Sequence, residues 1–290
     1  MRFFDRFKKK KEEPAPSYPS PPEADTMAIL LFAAPPPADA LAESIRKRFG
    51  ADAVRSLDNS HPKVPALLLD VEGLEFWCSV LPMPYPAKSG DLFVSSGCCS
   101  ETELAEMQRN QAFLVLAQKG GGQTLDAKRQ VCRVFSRLAG FLMEQEGALG
   151  VYANSAELLI SRSFYLKHAA ILEENRNDPA YFPAPLWVSI RQGRKSNAAI
   201  IPGADGSTAI SAGDIFMTGT WGLRQFGLLE LWFLNPSAEF AEICQRLYLL
   251  SVFQITGRDL YKNTDTIQFT PGKTSTFKEL QGALFIVESD

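Results

Sequence analysis

Residues 214–234 read DIFMTGTWGLRQFGLLELWFL, and the alternation within this run decides how the chain folds. From Phe226 to Leu234 an extended backbone sends successive side chains to opposite faces. Phe226, Leu228, Glu230, Trp232 and Leu234 share one face, and Leu229, Leu231 and Phe233 the other. Apolar groups on both faces specify a strand covered on both sides. Glu230 is the anomaly. A buried ionised carboxylate is costly, so it either finds hydrogen bonds or neutralises. Arg224 lies close enough in sequence to answer it, and Gly227 marks a bend or bulge ahead of the strand. Two readings stand: a poised acid or ligand contact, or a half-covered face on which Glu230 reaches water beside Trp232.

Downstream, Asn235 and Pro236 signal a helix start, with asparagine as cap and proline at the first helical position. Phe240, Ile243, Cys244, Leu247 and Leu250 recur at helical spacing, and Gly257 closes the segment. Glu239, Glu242, Gln245 and Arg246 break the apolar content, which makes the helix amphipathic and not a membrane span.

Upstream, Met27–Ala33 is a buried strand, and Ala38–Phe49 a helix stopped by Gly50. The runs 66–71 and 74–81 form a hairpin around Glu72 and Gly73, and Pro82–Pro86 (PMPYP) is extended on an edge, as a binding lip or a rigid connection. A short helix over 101–110, a buried strand over 112–117 and a long helix over 125–146 follow. The chain is less regular from Val151, with a helix over 163–174, prolines at 179, 183 and 185, a strand over 186–191, a turn at 203–206 and a closing strand over 283–288. Without a strict βαβ rhythm, the fold class is α+β: mixed or antiparallel sheets with long amphipathic helices packed on them, and room for two similarly built halves. The divisions fall at a tail over 1–26, a first half over 27–178 and a second over 179–290.

The 290 residues are 46% hydrophobic, enough for a sizeable core. Net charge is −3, but Met1–Lys11 carries six cations and one acid, or +5, which leaves −8 for the remainder. An acidic body argues against nucleic-acid binding and suits a protein partner. The N-terminal segment, with Phe3, Phe4 and Phe7 among arginines and lysines, reads either as a weak membrane-surface contact or as a solubilising tail ahead of five prolines. The N-terminus lacks the apolar core of a signal peptide, so a cytoplasmic setting and free thiols are expected for Cys78, Cys98, Cys99, Cys132 and Cys244.

Catalytic and cofactor motifs fail on spacing. The loop Pro271–Thr274 lacks a phosphate-binding glycine at position 267, where Ile267 stands, and the dinucleotide pattern begun by Gly120 and Gly122 meets Leu125. His61 and His168 have no metal-ligand neighbours, and adjacent Cys98 and Cys99 are no zinc knuckle, so neither metal nor cofactor is expected. Cys98 or Cys99 is open to a reactive role, though no base lies near in sequence. Arg129, Arg133 and Arg137 fall four apart on one helical face, either a receptor for an anionic partner or a solvated row. Asp265, between two threonines, reads as the cap of a turn; a cation site is the sharper alternative and requires more oxygen ligands than this segment shows.

Thr218–Trp232 (TGTWGLRQFGLLELW), the long helix after it and the Asp265–Thr266 turn resemble the bacterial domain-of-unknown-function 4261 family. Gly222, Phe226, Gly227, Glu230, Asp265 and Thr266 carry the resemblance; Asn263 and Thr264 stand where the family has a glycine-containing lead-in. The resemblance implies no established activity. The expected function is therefore a non-enzymatic protein-binding module of the immunity or interaction type. A ligand-sensing or enzymatic cleft is the alternative, with Glu230, Arg224, Trp221, Trp232, Asp265 and Thr266 as its candidate binding residues.

Overall fold

The computed structural model describes residues 24–58, 64–85, 98–120, 122, 124–153, 156–195, 199–202, 208–211, 215–234, 236, 238–258, 260–270, 273–280 and 283–288. The basic tail, His61, the 203–206 turn and the Asn235 cap lie outside them.

The first sheet and its helices run β1 (Ala24–Phe32), α1 (Ala38–Phe49), β2 (Val54–Asp58), β3 (Ala66–Val71), β4 (Leu74–Leu81), α2 (Glu101–Gln108), β5 (Ala112–Lys119), α3 (Leu125–Glu144), β6 (Ala148–Ala153), β7 (Leu158–Ser161) and α4 (Arg162–Glu174). Its seven strands pair in the order β2-β3-β4-β5-β1-β6-β7, antiparallel throughout. Then come β8 (Ser189–Lys195), a two-stranded ribbon of β9 (Ala199–Pro202) and β10 (Thr208–Ser211), β11 (Ile215–Trp221), β12 (Glu230–Leu234), α5 (Phe240–Ile255), β13 (Thr266–Thr270), β14 (Lys273–Leu280) and β15 (Ala283–Glu288). The second sheet runs β13-β14-β15-β12-β11-β8, with β12 and β15 parallel and every other pair antiparallel. The fold is α+β.

Alternation explains the layers. In β1, Ala28, Leu30 and Phe32 enter the main core beneath the long helices, whereas Ile29 and Leu31 enter a smaller cluster with Met107 of α2, Phe113, Tyr152 and Leu159. The main core is continuous across both sheets, from Leu30 to Phe233 and Ile286. The β3–β4 hairpin turns on Glu72 (φ 55) and Gly73 (φ 76), the two left-handed positions that a tight two-residue hairpin demands. Tyr85, expected on an exposed edge, is tied down: its N–H donates to Asn110 at 2.7 Å and its ring packs edge-on to Phe113.

Both sheets are built on one plan. A strand, a helix and a three-strand meander whose last member runs parallel to the first describe β1-α1-β2-β3-β4 and again β12-α5-β13-β14-β15. In the first sheet β5 is inserted between β4 and β1; in the second, β15 lies directly against β12.

Several expected boundaries move. Strand 226–234 begins only at Glu230, because residues 223–226 form a 3-10 turn. Helix α5 starts at Phe240 with Glu239 at its cap position, four residues after Pro236. Strand 186–191 starts at Ser189, after a second 3-10 turn over 184–186. Strands β2, β6, β7, β9, β10, β13 and β14 were not expected.

Candidate functional site

Glu230 is buried, at 4% exposure, and the turn in front of it supplies its partners. Oε1 accepts from the backbone N–H of Gly222 at 2.8 Å and of Arg224 at 3.2 Å, and Oε2 accepts from the Thr220 hydroxyl at 2.8 Å. The same Thr220 oxygen accepts from the N–H of Leu231, which locks β11 to β12 at this point. Gly222 has φ 125, and a Cβ there would stand 2.4 Å from the Trp187 carbonyl oxygen, so only glycine fits. Gly227, in the left-handed region at φ 76, ends the turn. The carboxylate thus closes a loop. The sequence expectation that it reaches water beside Trp232 is corrected, and Arg224 meets it through backbone and not through charge.

The other residues of that expected cleft are dispersed. The Trp221 ring carries the Arg191 guanidinium 4.3 Å from its centroid, and Arg191 donates to Glu157 at 2.8 Å. Trp232 lies across its cross-strand neighbour Gly219, where a Cβ would meet the indole at 2.4 Å. Asp265 is exposed on the far side of β14 and β15 from Glu230, accepting from the N–H of Lys262 at 2.7 Å as a turn cap. It lines a shallow cavity of about 460 Å³ with Leu260, Tyr261, Thr264 and Thr266, to which the Glu230 turn contributes nothing.

The arginine row is neither a solvated face nor a free anion receptor. Arg133, buried at 8% exposure, donates from Nη1 to the carbonyls of Asp178 and Tyr181 (2.6 and 2.8 Å) and from Nη2 to those of Asn175 and Arg176 (3.2 and 2.7 Å). These carbonyls lie at and beyond the C-terminus of α4, the negative end of a helix, where a cation is favoured. Burial, with Arg129 close by, lowers the Arg133 pKa from the ordinary arginine value. Arg137 pairs with Glu173 at 2.6 Å and with Glu72 in the β3–β4 turn. Arg129 donates to the Thr256 carbonyl at the end of α5 at 3.0 Å and pairs with Asp126. One helical face therefore fastens three separate pieces of the chain to α3.

Remaining chemical groups are quiet. Burial raises the Cys99 thiol, with Glu103 adding to the effect, and burial pushes Cys78 up to about 12; a nucleophilic thiolate needs the opposite. His168 packs against Phe164 with ring centroids 4.5 Å apart, and burial, then Lys167, lowers its pKa. Glu103 gathers the Ser100 N–H (2.8 Å), the Ser100 hydroxyl (2.9 Å) and the Ser163 hydroxyl (2.5 Å) between the N-termini of α2 and α4. The Ser100 N–H, then the Ser163 hydroxyl, bring its pKa down to about 2. Among the described residues no group of three or more His, Cys, Asp or Glu is placed to hold a metal ion, and no helix is long and apolar enough to cross a membrane.

What the sequence reading missed is a groove of about 340 Å³ of mixed polarity, lined by Gln192, Phe216, Thr218, Pro236, Ala238, Phe240 and Ile243. Phe216 is 57% exposed at its mouth. Helix α5 starts at Phe240, so Pro236 and Ala238 line the groove from ahead of the helix. The one signal in the sequence was parity: Phe216 alternates in step with Thr218 and Thr220, an aromatic at the end of a hydroxyl-bearing face.

Comparison with protein-family models, curated proteins and solved structures finds no match to this chain.

Proposed function

We propose that this chain is a non-enzymatic protein-binding module, of the immunity or interaction type, and that the Phe216 groove receives the partner. The carrying observation is Phe216, a large aromatic 57% exposed in a groove where Pro236, Ala238 and Phe240 stand beside the polar Gln192 and Thr218, since aromatic anchors dominate protein interfaces. Support comes also from the polar groups a catalytic site would need. Glu230 and Arg133 are bonded to backbone, and Arg137 is bonded to carboxylates. The −8 balance outside the first eleven residues suits a partner with a basic surface.

A relation to the domain-of-unknown-function 4261 family is part of the same proposal. Of the residues carrying the resemblance, Gly222, Gly227 and Glu230 build the carboxylate-closed turn, and Phe226 packs edge-on to Phe182, 5.4 Å away.

Affinity capture from native lysate at physiological salt tests the reading, with Phe216→Asp beside the unaltered chain. A retained protein lost on the substitution, with thermal stability unchanged, is the expected result. A chain that retains nothing, or whose partner is indifferent to Phe216→Asp, removes the proposal.

A further inference from the structure

Each large sheet has two edge strands, and an unguarded edge is a template for another strand. Three of the four edges are guarded by charge or burial. Strand β8 carries Arg191, Arg194 and Lys195. Strand β2 carries Arg55, ion-paired to Asp70 and Glu75, and Asp58. Strand β7 is buried along its length, and the Ser161 N–H already donates to the Cys98 carbonyl at 3.1 Å.

Strand β13 carries no charge of its own, and its one guarding feature is a register shift against β14. It reads Thr266-Ile267-Gln268-Phe269-Thr270, without charge or proline. The order of residues is also symmetric in chemistry. In an antiparallel pair of two copies centred on Gln268, position 266 registers with 270, 267 with 269, and 268 with itself. These are the threonine and aliphatic–aromatic pairings that stabilise neighbouring strands, and a two-fold axis needs such self-complementarity.

On the side of α5 the edge meets both charge and apolar surface, since Arg246 pairs with Glu242 there. The Arg246 guanidinium sits 4.8 Å from the Phe269 ring centroid, so that face of the helix overhangs β13. Leu249, three residues on from Arg246, shares this face and is 49% exposed. Leu260, 52% exposed, lines the cavity that Thr266 also lines at the start of the strand. Two of the three large apolar side chains most exposed among the described residues thus flank one uncharged edge.

We infer that β13 is a self-association edge, joining two copies of this chain through antiparallel β13–β13 pairing with Leu249 and Leu260 packed beside it. The strip is about 17 Å long for five residues. It buries less than the roughly 800 Å² per partner of a standard interface, and the register shift against β14 between Ile267 and Thr270 shortens the regular stretch. Association in the micromolar range follows. The inference is independent of the Phe216 groove.

Sedimentation of the full chain over a concentration series tests it, with Gln268→Lys, Gln268→Glu and Leu249→Glu. Gln268 is exposed, so its variants keep the fold. The unaltered chain is expected to dimerise. Each variant alone weakens dimerisation by about 10-fold or more, from like charges facing each other across the axis or from loss of Leu249. An equimolar mixture of the Lys and Glu variants restores association, because opposite charges then meet. A chain monomeric at about a hundred micromolar, dimerisation indifferent to all three substitutions, or failure of the mixture to associate overturns the inference.

Discussion

Arg133 and Glu230 are the two charged residues in the buried set of the described core, and the contrast between their surroundings is instructive. Around Arg133, four carbonyls from residues 175–181 converge on one planar fork, so a cation gathers the frayed end of a helix. Around Glu230, two amides and a hydroxyl from residues 220–224 converge on a carboxylate, so an anion gathers a tight turn. In both places, irregular backbone that could not satisfy itself is satisfied by a side-chain charge. The cation does so at long range, from another element; the anion does so within ten residues of its own strand. A long-range clamp holds tertiary structure, and a local one holds a loop.

Removing the clamp is the largest break. Arg133→Met keeps the apolar stem but leaves buried carbonyls without donors, and is expected to cost about 3–4 kcal/mol in urea denaturation. Arg133→Lys recovers less than half, since one ammonium cannot reproduce the fork. If Arg133→Met unfolds at the same urea concentration as the unaltered chain, water satisfies those carbonyls and the clamp is ornamental.

Glu230→Gln comes next, at about 1–3 kcal/mol, because the amide must turn an N–H toward either Thr220 or the Gly222 and Arg224 amides. Hydrogen exchange should quicken at Gly222 and Arg224 and stay unchanged at the end of α4. Quickening at both places would mean that the two regions form one unit.

The smallest effect belongs to Glu103, an outer version of Glu230 between two helix N-termini. Its folded pKa of about 2 lies below the usual carboxylate value of 4.5, so its contribution is present above about pH 4.5 and is lost as pH falls toward 2. Glu103→Gln should flatten the acid limb of the stability profile over that window. An acid limb unaltered by the substitution would show that other carboxylates set it.

The sequence announced both charges and concealed their partners. Glu230 broke an apolar alternation and so stood out, but whether it was buried or reached water could not be read. Nor could the turn that holds it, because Gly222 and Gly227 look like any glycines until their positive φ angles are known. Arg133 stood in a legible row at positions 129, 133 and 137, yet its acceptors are carbonyls, which every residue has and no sequence marks. Charge-rich rows read as solvated because most are. The hairpin at Glu72 and Gly73, the long helices and the closing strand were plain from periodicity and turn residues. Strands β6 and β7 were not, with Gly150 interrupting the first and four residues making up the second. Strand β13 went unread because its polar and apolar residues alternate over five positions only.

The reach of Arg133 to the Tyr181 carbonyl also bears on how the molecule can be made. A ribosome that has released only the first seven strands and α4 has not yet delivered the oxygens this guanidinium requires. A fragment cut at residue 178 would lack one of them permanently, and Arg129 would wait for Thr256 of a chain never supplied. Expression of either half alone should therefore yield insoluble material, whereas the two halves produced together should rescue each other.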